Sequence, residues 1–153
     1  MKKCFSFCSL VCVHTGRPCV VTVRAGASIP VSYLQVINIG KERATLRGFA
    51  IKQNGSASTD TIVGLTVSDD SGLFHNSVDY TGTSLFKNGT AFIPIEVPIV
   101  TGQTRLFTIR AILGGTVTVD LGKQLKLDIT EVDASAELKS KLPIRGTTWT
   151  FGL

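Results

Sequence analysis

The sequence predicts an all-β protein built from antiparallel sheets, with about eight to ten short strands. Hydrophobic residues make up 43% of the 153 residues, and charged residues only 18%, against a usual value of about 25%. Several short runs alternate between apolar and polar residues, which is the period of a strand with one buried face. Turn-forming segments such as "GKER", "NGSAST" and "SDDSG" separate the runs. Two stacked sheets bury such strands most simply, although a barrel is also compatible.

The clearest strand is "TAFIPIEVPIV", residues 90–100. Every second residue is apolar and predicts a core face: Ala91, Ile93, Ile95, Val97 and Ile99. Pro94 and Pro98 fall on the other face. Because proline has no N–H to donate to a central ladder, we expect this strand to lie at the edge of a sheet or to leave the sheet near Pro98.

The next two strands repeat the pattern. "RLFTIRAIL" and "KQLKLDIT" predict core faces made of Phe107, Ile109, Ala111 and Leu113, and of Leu125, Leu127 and Ile129. The opposite face of the second strand is predicted to meet solvent, with Gln124, Lys126, Asp128 and Thr130. One wet face on each strand favours antiparallel over parallel sheets.

The closing strand lies in "LPIRGTTWTFG" and holds Trp149, the single tryptophan of the chain. Alternation places Trp149 and Phe151 on one face and Thr148 and Thr150 on the other. We expect the two aromatic residues to face the core, because aromatic residues at alternate strand positions suit a half-buried face.

The N-terminal residues 1–17 are predicted to lie outside the domain, which spans residues 18–153. The four cysteines, Cys4, Cys8, Cys12 and Cys19, fall within the first nineteen residues, without the C-x2-C spacing of zinc or redox sites. "MKKCFSFCSLVCV" has a basic start and a short apolar run, the proportions of a secretory signal, but no small-residue cleavage site follows. Residues 1–17 are therefore either a degenerate signal-like segment or an N-terminal extension.

Residues suited to catalysis are sparse. The chain has two histidines, and only His75 lies near a carboxylate, Asp79, in a stretch that suits a hairpin. Neither histidine belongs to a paired-ligand motif, and no nucleophile elbow, P-loop or dinucleotide fingerprint occurs. We therefore expect no enzyme activity and no cofactor. The net charge of +5 comes from scattered basic residues, so we expect no nucleic-acid partner.

Binding sites have a small set of candidates. Asp69 and Asp70 in "SDDSG" are candidate calcium ligands, although a turn capped by aspartate side chains explains the same residues. Tyr33, Tyr80 and Phe92 are candidates for an aromatic surface on which a sugar stacks, although aromatic residues in strands more often belong to the core.

Two Asn-Gly dipeptides have two interpretations each. Asn54 in "NGS" and Asn88 in "NGT" match the acceptor pattern for N-glycosylation. Both dipeptides are also typical of tight hairpin turns, and we prefer that interpretation.

The order of these features resembles the immunoglobulin-like β-sandwich modules that are repeated in large bacterial cell-surface and cell-wall proteins. The resemblance covers roughly residues 22–152 and rests on the strands "IPVSYLQVINIG", "ATLRGFAI" and "RLFTIRAIL", the "GLTVSDDSG" hairpin, the "TGQT" turn and the closing "LPIRGTTWTFG". The Cys, Trp, Cys spacing of antibody domains is missing. The resemblance implies a non-catalytic spacer or adhesion module, located outside the cell and in contact with other modules or cell-surface polymers.

Two alternative functions remain open. The first is a carbohydrate-binding accessory module, which requires aromatic residues along one exposed face. The second is a subunit of an extracellular filament, or another homo-oligomer joined through edge strands, in which the apolar "PCVVTV" at residues 18–23 pairs with a neighbouring chain.

Overall fold

The computed structural model describes residues 4–9, 19–22, 24–71, 75–79 and 85–152, and this part of the chain is all-β. It contains two short 3-10 helices, Thr59–Thr61 and Gly115–Asp120, and no α-helix. The strands are β1 (Cys4–Ser9), β2 (Cys19–Thr22), β3 (Ser28–Asn38), β4 (Ala44–Gln53), β5 (Ile62–Asp69), β6 (His75–Asp79), β7 (Thr90–Ile99), β8 (Thr104–Leu113), β9 (Gln124–Ala134), β10 (Glu137–Leu138) and β11 (Thr148–Gly152). The all-β prediction is confirmed, with eleven strands in these ranges instead of eight to ten.

The strands form two sheets. One has the order β10-β1-β3-β8-β5-β6, and the other has the order β2-β11-β9-β4-β7. The three strands β3, β8 and β5 pair antiparallel, as do the four strands β11, β9, β4 and β7. The pairs β1 with β3 and β5 with β6 are also antiparallel, and the parallel pairs among the described strands are β1 with β10 and β2 with β11.

A single hydrophobic core contains residues of both sheets. Phe49 of β4 and Phe107 of β8 meet there edge to face, with ring centroids 6.2 Å apart. The core faces predicted for β7, β8 and β9 are confirmed, because every apolar residue assigned to them is buried. Two sheets therefore bury their apolar faces against one shared core.

β7 lies at the edge of the five-stranded sheet, as its prolines predicted. It pairs with β4 on one side and is the last strand of its sheet. Its residues alternate strictly between buried and exposed from Ala91 to Ile99. The missing N–H groups of Pro94 and Pro98 are tolerated because an edge strand has only one pairing neighbour.

The first two strands divide between the sheets. β1 pairs antiparallel with β3, from Phe5 opposite Asn38 to Ser9 opposite Leu34. β2 pairs parallel with β11, with Cys19 opposite Trp149. Residues 1–17, predicted to form an extension, thus include a strand of the six-stranded sheet. The "PCVVTV" segment contributes Cys19–Thr22 to pairing within its own chain.

The segment that precedes β11 connects the two sheets. Thr147 N–H donates to Val31 O at 2.9 Å, and Trp149 Nε1 donates to Pro30 O at 2.6 Å. The acceptors belong to β3 in the other sheet. Phe151 is buried and Trp149 is half-buried against the core, so the predicted orientation of this strand is confirmed.

Asp128 corrects one sequence prediction, because it is only 4% exposed and not on a wet face. Its Oδ1 accepts a hydrogen bond from Gly146 N–H, and its Oδ2 accepts one from Asn54 Nδ2, both at 2.8 Å. The segment before β11 therefore covers this position of β9. Buried carboxylate oxygens require such donors, and alternation along a single strand cannot reveal them.

Candidate functional site

The two calcium candidates, Asp69 and Asp70, differ in burial. The Asp69 side chain is fully buried, whereas Asp70 is exposed. The Asp69 carboxylate forms an ion pair with Arg105 of β8, and each of its oxygens lies 2.8 Å from the Ser71 hydroxyl. Asp69 therefore serves as the partner of Arg105 at the end of the core. Calcium binding at Asp69 and Asp70 remains a prediction.

The ion pair between Asp69 and Arg105 lies where β5 ends and β8 begins. The Arg105 side chain is 16% exposed, so both charges have lost most of their water. Removing one partner of such a buried ion pair is strongly destabilising, because the other charge is left in the interior without compensation. Nη2 of Arg105 donates to Asp69 Oδ2, whereas Nε is buried and has no hydrogen-bond partner among the described residues.

A cavity of about 520 Å³ opens beside this ion pair. Its walls are Asp70, Ser71, Glu96, Val97, Pro98, Gln103, Thr104 and Arg105. Most of these residues carry hydrogen-bonding groups. In the ranges that the structure describes, His, Cys, Asp and Glu form no group of three or more that could hold a metal ion. The lining suits small polar molecules, water among them.

Tyr80, His75 and Asp79 are the candidates from one stretch of the sequence. Tyr80 lies outside the described residues, and His75 and Asp79 belong to β6, of which the structure describes the backbone. His75 pairs with Ser68, and Asp79 pairs with Gly64, so they lie at opposite ends of β6. Four residues along a strand span about 13 Å. His75 and Asp79 therefore do not meet in a hairpin turn.

The remaining aromatic candidates lie on opposite sides of the molecule. Tyr33 of β3 is half-buried on the outer face of the six-stranded sheet, opposite Thr108. Phe92 of β7 is 48% exposed on the outer face of the five-stranded sheet. Stacked sheets lie about 10 Å apart, so these two residues cannot contribute to one surface.

Phe92 stands beside two small residues of β4. It pairs with Ala50, and Pro94 pairs with Gly48. A Cβ on Gly48 would lie 2.5 Å from Phe92 Cζ, so the tip of the ring rests on the backbone of Gly48. The side of the ring away from the sheet stays open to solvent.

Two carboxylates border this ring on the far side of β4. Ala50 pairs with Glu131 and Gly48 pairs with Asp133, both exposed residues of β9. Across three strands the outer face thus carries two rows, Phe92-Ala50-Glu131 and Pro94-Gly48-Asp133. We call this surface, made of these six residues, the Phe92 surface. The sequence indicated Phe92 only, because the pairing of β4 with β9 joins residues about eighty positions apart.

Exposed apolar side chains of the described residues concentrate at the two ends of the paired sheets. The large exposed apolar residues of the described chain are Ile39, Val63, Phe92, Val100, Val119 and Leu121. All except Phe92 lie at an end. We call the ends the Asn38 pole, with the turns at residues 39–43 and 100–103, and the Asp120 pole, with Gly115–Asp120, Val63 and Leu121.

The Asn38 pole is organised by its buried asparagine. Asn38 Nδ2 donates to Ile99 O at 2.8 Å and to Glu42 O at 2.9 Å. Its backbone C=O accepts from Gly102 N–H. These bonds tie the two turns together, so that Ile39 and Val100, each about half exposed, occupy the same end.

The buried carboxylate of Asp120 joins segments of the chain at the Asp120 pole. Asp120 accepts hydrogen bonds from Ser58 N–H at 2.8 Å and from Lys123 Nζ at 2.6 Å. The adjacent Val119 is 74% exposed, the highest value among the large apolar residues. Val63 packs next to Gly114 just before the 3-10 helix. Val63, Val119 and Leu121 therefore place exposed apolar side chains at this pole as well.

Comparison with protein-family models and with curated proteins gives no match. In the described ranges, no helix has the length and apolar character needed to cross a membrane.

Proposed function

We propose that this chain is a non-catalytic structural or adhesive module of an extracellular or cell-surface protein, and that it stacks end to end with its neighbours. The observation that carries the proposal is the placement of exposed apolar side chains at both poles. Single exposed apolar residues need no explanation, whereas clusters rimmed by polar residues are typical of interaction sites. Two such clusters at opposite ends suit a contact between the Asn38 pole of one module and the Asp120 pole of the next.

The direction of the chain supports this arrangement. β1 starts beside Asn38, since Phe5 pairs with that residue, and β11 ends beside Gly122, whose N–H donates to Phe151 O. The start of β1 and the end of β11 thus lie at opposite poles, and the eleven residues of β3 set the distance between the poles at about 33 Å.

The order of the strands supports the immunoglobulin-like class. Constant-type immunoglobulin sheets have the orders A-B-E-D and C-F-G. The present orders β1-β3-β8-β5 and β4-β9-β11 correspond to these when the strands are assigned in chain sequence. β7 departs from the pattern, because it follows β5 and β6 in the chain but pairs with β4. The class is therefore proposed with four additional strands, β2, β6, β7 and β10, each at the edge of a sheet.

A concentration series in the analytical ultracentrifuge tests the proposed contact. We expect wild-type protein to form linear oligomers at high concentration, because a head-to-tail contact that does not close generates open chains. Val119→Asp and Ile39→Asp place a charge in one pole each, and each variant should be monomeric. Both side chains are more than half exposed, so the fold should tolerate the changes.

Mixing the two variants separates this contact from a symmetric one. Val119→Asp keeps an intact Asn38 pole and Ile39→Asp an intact Asp120 pole, so an equimolar mixture should form dimers and nothing larger. A symmetric contact through one pole would leave one of the two variants able to associate alone. Wild-type protein that stays monomeric at millimolar concentration would contradict the proposed stacking.

A further inference from the structure

We infer that the Phe92 surface is a binding site for a saccharide chain. The site lies on the outer face of the five-stranded sheet, away from both poles, and is independent of the proposed stacking. It combines an exposed aromatic ring with two carboxylates across a strand that has no bulky side chain between them.

The floor of the site consists of Gly48 and Ala50. Both residues are buried, Gly48 under the tip of the Phe92 ring, and β4 places no side chain larger than a methyl group between β7 and β9 here. Neighbouring strands are about 4.8 Å apart, so the backbone of Phe92 and that of Glu131 are separated by about 10 Å. A ligand of this width can contact the exposed side of the ring and the carboxylates at the same time.

The Phe92 ring and the carboxylates of Glu131 and Asp133 suit the binding of a polyol. The C–H face of a sugar ring packs on an aromatic face, which is apolar and carries partial negative charge. The carboxylates of Glu131 and Asp133 accept two hydrogen bonds or more each, so they can bind neighbouring hydroxyl groups. Hydrogen bonds with one ionised partner are stronger than neutral ones.

A cationic peptide is the rival ligand, since carboxylates and an aromatic ring also attract lysine and arginine. Lys52 argues against it. Lys52 is exposed on the same face, two residues after Ala50, and pairs with Thr90 of β7. The Lys52 ammonium group repels a cation but donates hydrogen bonds to a sugar hydroxyl. The site thus offers both donors and acceptors, which neutral polyols require.

A glycan microarray followed by solution titration tests this inference. Wild-type protein should bind glycans on the array above the level of Phe92→Ala, and the strongest class is then titrated with a soluble oligosaccharide such as cellohexaose or chitohexaose. Phe92→Ala should weaken binding at least about tenfold. Asp133→Asn and Glu131→Gln keep the shape and remove a charge, and each should weaken binding several-fold.

Val119→Ser is the matched control, because it removes an exposed apolar side chain at a pole and should leave sugar binding unchanged. Thermal melts of all variants exclude unfolding as the cause of a loss. An array on which wild type and Phe92→Ala are indistinguishable overturns the inference. Tighter binding of octalysine than of any oligosaccharide overturns it as well, and assigns the surface to cationic peptides.

Discussion

Trp149→Phe is the most direct test of how the closing segment holds the two sheets together. Trp149 Nε1 donates to Pro30 O at 2.6 Å, and this bond runs from β11 of one sheet to β3 of the other. Phenylalanine keeps an aromatic ring at the position but cannot donate. The substitution therefore removes the inter-sheet bond and retains most of the packing.

The expected loss of stability depends on the Pro30 carbonyl group, which loses its hydrogen-bond donor. Removing one side of a buried hydrogen bond costs about 1 to 3 kcal/mol, because the remaining group is desolvated and unpaired. Pro30 and Trp149 are both half-buried, so we expect about 2 kcal/mol for Trp149→Phe. Trp149→Ala also loses the ring packing and should cost about 3 kcal/mol, the lower end of the range for large aromatic residues in cores.

Urea unfolding followed by far-ultraviolet circular dichroism measures these differences. Tryptophan fluorescence is unsuitable, because Trp149 is the only tryptophan. Thr148→Ala is the control: Thr148 is exposed beside Trp149, and its loss should change stability by about 0.5 kcal/mol or less. A Trp149→Phe variant within about 0.5 kcal/mol of wild type would refute the role assigned to the bond with Pro30.

Two further substitutions test buried positions by urea unfolding. Gly146→Ala should cost about 3 kcal/mol, because its Cβ would lie 1.9 Å from Leu127 O in the backbone of β9, while Gly115→Ala, with nothing within 4 Å, should cost little. Equal stability of the two variants would contradict the close approach at Gly146. Arg105→Met removes the ion-pair partner of the buried Asp69 carboxylate and should cost about 3 to 5 kcal/mol, most of which Asp69→Leu should restore in the double variant. A double variant as unstable as Arg105→Met would show that the loss does not come from the buried charge of Asp69.

The Asn-Gly dipeptides show that a sequence pattern predicts structure reliably when its physical cause lies within the same few residues. Asn88 and Gly89 have φ angles of 52° and 77°, the left-handed region that these residues enter most readily. Lys87 and Thr90 exchange two backbone hydrogen bonds across them. The turn interpretation of this dipeptide is confirmed. Asn54 instead donates a hydrogen bond from its side-chain amide to the Asp128 carboxylate. The sequence did not predict this contact.

Only some residues of the Phe92 surface and of the Asp69 region could be predicted from the sequence. Phe92 could be singled out because alternation assigns it to the face opposite the core. Its partners Glu131 and Asp133 carry no local signal, since charged residues on an exposed strand are common. The sequence shows the aspartates of "SDDSG" as a cluster. It does not show that Asp69 forms an ion pair with Arg105, thirty-six positions away.

The sequence by itself determined the all-β class, the core faces of β7, β8 and β9, and the edge position of β7. These properties depend on the two-residue period of a strand and on the missing N–H of proline, both of which act within a few residues. Only the tertiary structure decided which exposed residues become neighbours, as at the Phe92 surface and the two poles. Strand pairing sets these contacts through its register, and a shift of one residue would move Glu131 and Asp133 to the other face of the sheet.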